Sequence, residues 1–153
     1  MLRKSVFSFS FFIPIIFSVC LIHGNSKSFI NEERWLAPSW ADTMENPSKK
    51  QPIHLKSAKR LYFNECVICH GSNGKGEGEA SFGLKIPPGD LTDMFNRSQS
   101  DGAIYWKLTN GRGQMPSYSE NTTELQRWQL VSYIRELQRI SNLKIDKKKS
   151  NEK

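Results

Sequence analysis

Three cysteines and three histidines are all that the 153 residues offer. Two of the cysteines share one stretch with a histidine, Cys66-Val67-Ile68-Cys69-His70, and the remainder are Cys20, His23 and His54. A zinc site therefore has too few partners, and a thioredoxin-like dithiol lacks any βαβ pattern around it. Strand-like alternation of useful length and internal repeats are also missing. Hydrophobic residues make up only 37% of the chain, part of them within the first 22 positions. A folding unit so poor in apolar side chains needs another source of core.

What the chain does have supplies that source. Cysteines one helical turn apart, followed directly by histidine, form the pattern of c-type haem attachment: each thiol bonds a vinyl group while the imidazole reaches the iron. A covalently held, mostly apolar haem c, one per chain, would complete the core. His70 then supplies one axial ligand, and histidine paired with methionine raises the potential of the iron. Met1 lies in the leader and Met44 precedes the attachment helix, so the second ligand is sought between Met94 and Met115. Met115 is favoured: Gly111-Arg112-Gly113-Gln114-Met115-Pro116 is a loop between helices in which glycine permits close approach and Pro116 stiffens the exit. Met94, beside Phe95 and Leu91, is expected to fill core volume. A thioether in the sixth position leaves no open site, so catalysis at the iron is not expected.

The first 22 residues read as an export leader or membrane anchor. Arg3 and Lys4 precede Val6 to Ile22, which carries no charge, although 17 residues interrupted by Pro14 are short for a span. Cys20 stands where a bacterial lipoprotein signal places its acylated cysteine; acylation, retention and an ordinary cysteine in a removed leader remain open. Residues 23–54, with Trp35, Pro38, Trp40, Pro47 and Pro52, are expected to form an extended arm from which Trp35 or Trp40 packs onto the domain.

Residues 55–141 carry the helical signals. Leu55, Ala58, Leu61, Tyr62 and Cys66 recur at helical spacing behind a candidate cap at Ser57, and the attachment motif ends that helix. Gly71, Gly74, Gly76 and Gly78 follow in a polar loop; Gly74-Lys75-Gly76-Glu77-Gly78 meets neither nucleotide-binding spacing. Pro87-Pro88 is read as extended, a carbonyl of Pro87 or Pro88 being the candidate for orienting the His70 ring and an ordinary turn the alternative. A short helix, apolar nearly all round, is capped by Ser100 or Asp101 and stopped at Asn110-Gly111. Thr123 with Gln126 opens the last helix, which carries Leu125, Trp128, Val131, Ile134 and Leu137 to about Arg139. Net charge is +7, and the run from Lys144 to Lys153, five lysines against Asp146 and Glu152, is expected to be a disordered basic tail over 142–153. No base-stacking aromatics interleave with it, so no nucleic-acid partner is assigned.

These motifs resemble the monohaem class I c-type cytochromes. The resemblance runs from Asn46-Pro47 through Leu61-Tyr62, Cys66 to Gly71, Gly74-Lys75-Gly76, Pro88, Asp90-Leu91 and Gly111 to Pro116, to Arg127-Trp128 and Tyr133-Ile134-Arg135. It implies an all-α, cytochrome c fold of three to four short helices around one covalently bound haem, the first and last helices crossing. It also implies Cys66 and Cys69 as thioether sites, His70 and Met115 as axial ligands, and maturation on the far side of the inner membrane, hence a periplasmic or otherwise extracytoplasmic place. Ala58 departs from the glycine that many relatives carry at the helix crossing, and the loop after His70 is longer than in small members. The function implied is single-electron transfer between redox-protein donors and acceptors of a respiratory chain, from a chain tethered to the membrane by its N-terminus. A fixed cytochrome subunit of a membrane oxidoreductase complex is the alternative, and a haem enzyme or gas sensor with labile Met115 ranks third.

Overall fold

Helical spacing in the sequence becomes five α-helices in the computed structural model, which describes residues 34–47 and 54–152. They are α1 (His54–Glu65), α2 (Val67–His70), α3 (Met94–Ser98), α4 (Asp101–Asn110) and α5 (Glu124–Asn151), with 3₁₀ turns at Ser39–Thr43 and Glu79–Gly83. No strand occurs among the described residues, in keeping with the all-α expectation. The count exceeds the expected three to four because α2 and α3 are little more than single turns. The leader over 1–22, Cys20 and the first part of the arm lie outside the described residues.

The first and last long helices pack together, as the cytochrome resemblance implied. Ala58 and Tyr62 on α1 are fully buried, and so are Leu130 and Val131 on α5, all in one cluster with Trp128, Ile134 and Leu137. A small residue at position 58 lets the backbones approach, while Tyr62 and Tyr133 meet with ring centres 5.1 Å apart. Tyr105 from α4 stacks on Trp128 at 4.0 Å, joining the third long helix to the same core. Ser57 is not a cap; α1 begins at His54 and takes Ser57 into its first turns. Leu125, placed on the apolar face by spacing, is 49% exposed because the first turn of α5 precedes the packed stretch.

Both remaining helix starts follow their local signals. The Ser100 hydroxyl accepts from the Ala103 N–H at 3.0 Å, and it donates to Asp42 Oδ1. Thr123 and Gln126 form the reciprocal capping box, with bonds of 3.2 and 2.7 Å. Thr123→Ala is expected to cost about 1 kcal/mol, read as a lowered denaturant midpoint at unchanged slope.

Two expectations about the chain ends are corrected. The last helix does not stop near Arg139 with 142–153 as a disordered tail; α5 continues to Asn151. Neither glycine nor proline interrupts Glu124 to Asn151, Lys148 and Lys149 in the last turn suit the negative end of the helix dipole, and Lys148 reaches Glu152 at 3.9 Å. The arm is likewise more than an extended linker, and the folding unit begins at Arg34, not at Leu55. Residues 39–43 turn against α4, burying Ala41, while the Asn46 amide donates to Ser132 Oγ at 3.1 Å. Trp35 is the tryptophan that packs, edge-on to Trp106, and Trp40 stays exposed. At the contact, the Ala41 carbonyl occupies the space where a Cβ on Gly102 would lie. Gly102→Ala should therefore displace the arm and cost about 1–3 kcal/mol, measured as a lower melting temperature and faster tryptic cleavage at Arg34.

Candidate haem-attachment site

Cys66 occupies the one-residue break between α1 and α2. Its N–H still bonds the Tyr62 carbonyl at 2.8 Å, and its own carbonyl receives the N–H groups of His70 at 2.8 Å and Cys69 at 3.2 Å. Helical spacing thus persists through the motif, which puts Cys66 and His70, four apart, on one face. Cys66 is buried, Cys69 half-buried, and both thiols are free. Beyond His70 the chain reverses at Gly71, whose carbonyl accepts from the Tyr62 hydroxyl at 2.8 Å.

The polar loop that follows closes the end of α2. Gly76 N–H bonds the His70 carbonyl at 2.9 Å and Gly78 N–H the Cys69 carbonyl at 3.0 Å, so the last carbonyls of the short helix are satisfied from outside. Glycine is required for this approach. Gly76 has φ +78°, and a Cβ there would collide with the Pro88 carbonyl; one on Gly78 would collide with that of Ile68.

Burial holds the His70 imidazole below its ordinary pKa, opposed by the neighbouring Gly89 backbone. Of its ring nitrogens, Nδ1 is buried and makes no aligned hydrogen bond. The backbone group beside the ring is thus that of Gly89, which corrects the expected bond to Pro87 or Pro88; the Pro88 carbonyl instead faces Gly76. A neutral imidazole keeps the lone pair that metal ligation uses. Burial, with Glu65 second, pushes the Cys66 thiol up to about 12, opposed by the Tyr118 hydroxyl. Such a thiol is neither an activated thiolate nor a ready zinc ligand, and no group of three or more His, Cys, Asp or Glu side chains converges among the described residues.

Met115 is held by a closed turn. Arg112 N–H bonds the Met115 carbonyl at 2.9 Å and Met115 N–H returns to the Arg112 carbonyl at 3.0 Å, with Gly113 at φ +58° in between. Gly111, at φ +67°, ends α4, and a Cβ on it would lie 2.6 Å from the Met115 carbonyl. Gln114 Oε1 accepts from Lys85 N–H at 2.9 Å, Ser117 Oγ donates to the Thr109 carbonyl at 2.6 Å, and Tyr118 N–H bonds the Leu108 carbonyl at 3.0 Å. The structure brings half-buried Met115 against the apolar cluster that contains Cys66. Met94, expected in the core, is 79% exposed at the start of α3. Tyr118 went unnoticed in the sequence: its hydroxyl donates to the Glu65 carbonyl at 3.0 Å beside Cys66. An aromatic three residues past Met115 was the available signal.

The donor set, one neutral imidazole and one thioether beside two free thiols and an apolar wall, fits a thioether-linked haem. Residues 54–134 match the family model described as cytochrome c oxidase, cbb3-type, subunit III. One chain in the solved structure of a reducing HAO-like protein complex from Kuenenia stuttgartiensis is similar at 30% identity, with a TM-score of 0.50, over 56% of this chain and 44% of that one. This chain thus spans less than half of that neighbour's length. No curated protein matches it. With more than half of its length inside the family match, the chain belongs to the family described as cytochrome c oxidase, cbb3-type, subunit III: it is a c-type cytochrome that carries covalently bound haem c with its iron and transfers electrons.

Proposed function

We propose that Cys66 and Cys69 carry the thioether links, that His70 through Nε2 and Met115 through its sulfur are the axial ligands, and that the chain passes single electrons between redox partner proteins outside the cytoplasm. The observation that carries this reading is the closed Arg112–Met115 turn, which pins the thioether at the edge of the cluster holding Cys66. Bound haem c supplies a one-electron iron couple whose potential a histidine and methionine pair raises.

The chain's own groups do the rest. Burial keeps His70 neutral, and the Tyr62 hydroxyl bond to Gly71 fixes the turn after it. With Met115 bound to it beside His70, the iron would have no open position for a substrate. Backbone bonds from Gly76 and Gly78 onto His70 and Cys69, and the pair between Arg112 and Met115, tie down both segments, which would keep reorganisation on electron transfer small. A redox titration should show one reversible one-electron wave, and carbon monoxide should not bind the reduced protein at neutral pH. A carbon monoxide adduct under those conditions would transfer the protein to the class of haem sensors and enzymes.

Arg3 and Lys4 ahead of the apolar run Val6 to Ile22 support export and a tether at the N-terminus, by retention or by acylation at Cys20. No described helix is long and apolar enough to cross a membrane. A second reading, a fixed subunit of a membrane oxidoreductase, is favoured by the family description, which names an oxidase subunit, and by the neighbour's place in a protein complex. Size-exclusion of a detergent extract separates the two: a free carrier elutes as a small species, a subunit with its assembly.

A further inference from the structure

Helix α5 continues past its own packing. Its buried side chains end at Gln138, yet the helix runs on to Asn151, roughly 20 Å further at about 1.5 Å per residue. From Leu143 to Glu152 every side chain is exposed. A helix end with no tertiary partner gains nothing from aliphatic residues in water, and β-branched ones favour helix less than lysine does. Even so, Ile140, Leu143 and Ile145 stand there, 38, 47 and 44% exposed.

Ile140, Leu143, Lys144, Lys147 and Lys148 are linked by steps of three and four, so they share one face of the helix. Acids are kept off it. Asp146 is two positions from both Lys144 and Lys148 and points away from them, while Glu152 meets Lys148 at 3.9 Å with both side chains well exposed. A pair so open to solvent neutralises little. The occupant that suits this face is negative, broad and able to take aliphatic stems. Anionic phospholipid headgroups meet those conditions, because lysine stems lie along apolar surface with their ammonium groups among the headgroups, and Ile140 and Leu143 reach the acyl boundary. An acidic protein suits it less: the five residues include no Trp, Tyr or Arg to anchor a specific interface, and neighbouring Arg139 is already held by Glu136.

Resting on the reading that the N-terminus tethers the chain to a membrane, we propose that the end of α5 docks on an anionic phospholipid surface through Lys144, Lys147 and Lys148, with Ile140 and Leu143 at the acyl boundary. The tether supplies a high local concentration of bilayer, so a weak electrostatic contact suffices. Attachments at both ends of the chain hold the domain in one orientation, where a single one would let it swing.

The test binds full-length holoprotein to phosphatidylcholine vesicles with and without phosphatidylglycerol, and follows amide hydrogen exchange over residues 140–149 by mass. Wild type is compared with Lys144→Gln/Lys147→Gln/Lys148→Gln and with Leu143→Ser. Exchange in the wild type should slow by about tenfold on the anionic vesicles alone, and added salt should reverse it. At roughly fivefold in binding per lysine, the triple variant loses docking on the order of a hundredfold and shows no slowing, while Leu143→Ser shows a smaller one. Sedimentation with pure phosphatidylcholine vesicles reports on the tether separately. Protein left in the supernatant overturns the tether on which the proposal rests; protein that sediments while 140–149 exchange equally on both vesicle types overturns the docking alone. So does a slowing that the triple variant keeps. A triple variant that matches wild type on vesicles but passes electrons more slowly to an acidic redox partner also overturns it and makes the face a protein site. If the triple variant melts early, Lys147→Gln alone carries the same comparison.

Discussion

Replacing both cysteines proposed to carry the haem, Cys66→Ser with Cys69→Ser, is expected to yield protein with the mass of the bare polypeptide and no colour that survives acid extraction, even from a host competent in haem attachment. The two single variants should differ. Cys69 is half-buried near the end of α2, whereas Cys66 is buried in the core between Tyr62 and Tyr118. A serine hydroxyl at 69 still has room for a partner, so C69S should keep one link and its colour. At 66 the hydroxyl enters an apolar cluster, so C66S should lose stability as well as a link, on the order of 1–3 kcal/mol for a buried polar group without full compensation. The measurement is intact mass beside a thermal melt. Haem mass retained by the double variant would remove the basis for assigning these thiols as the attachment points.

The second large effect is expected at Met115. Met115→Ala should abolish the far-red sulfur-to-iron band of the oxidised protein, open the reduced protein to carbon monoxide, and lower the reduction potential. Loss of the soft ligand withdraws support for reduced iron. A hundredfold change in the ratio of reduced to oxidised protein corresponds to a fall of about 120 mV for one electron, and a drop of at least that order is expected. The fold should survive, because Gly111, Gly113 and the backbone pairing of Arg112 with residue 115 do not depend on the side chain. Met94→Ala is the matched control: its side chain is exposed and should leave band, potential and melting temperature unchanged. A band lost in the Met94 variant and kept in the Met115 variant would exchange the two assignments.

The attachment motif, the Thr123–Gln126 capping box, the Ser100 cap and the Gly111 stop were legible in the sequence. Each is a short-range device whose chemistry is complete within a few residues. The closed turn at Met115 was legible for the same reason, since the glycines and proline around it act locally. Distant contacts behave otherwise. That Ala41 seals against Gly102, that Gly89 and not Pro87 or Pro88 lies beside His70, and that Tyr118 reaches back to Glu65 all depend on where separate segments meet.

The sequence by itself determined the cofactor class, the helical class and the residues proposed to bond iron, because thiol spacing, imidazole, thioether and turn residues declare themselves locally. Tertiary structure alone decided where the folding unit begins, how far α5 runs, which methionine is left in solvent and which tryptophan packs. Those outcomes rest on burial and on the pairing of polar groups across dozens of residues, and no local signal encodes which distant partner will satisfy them.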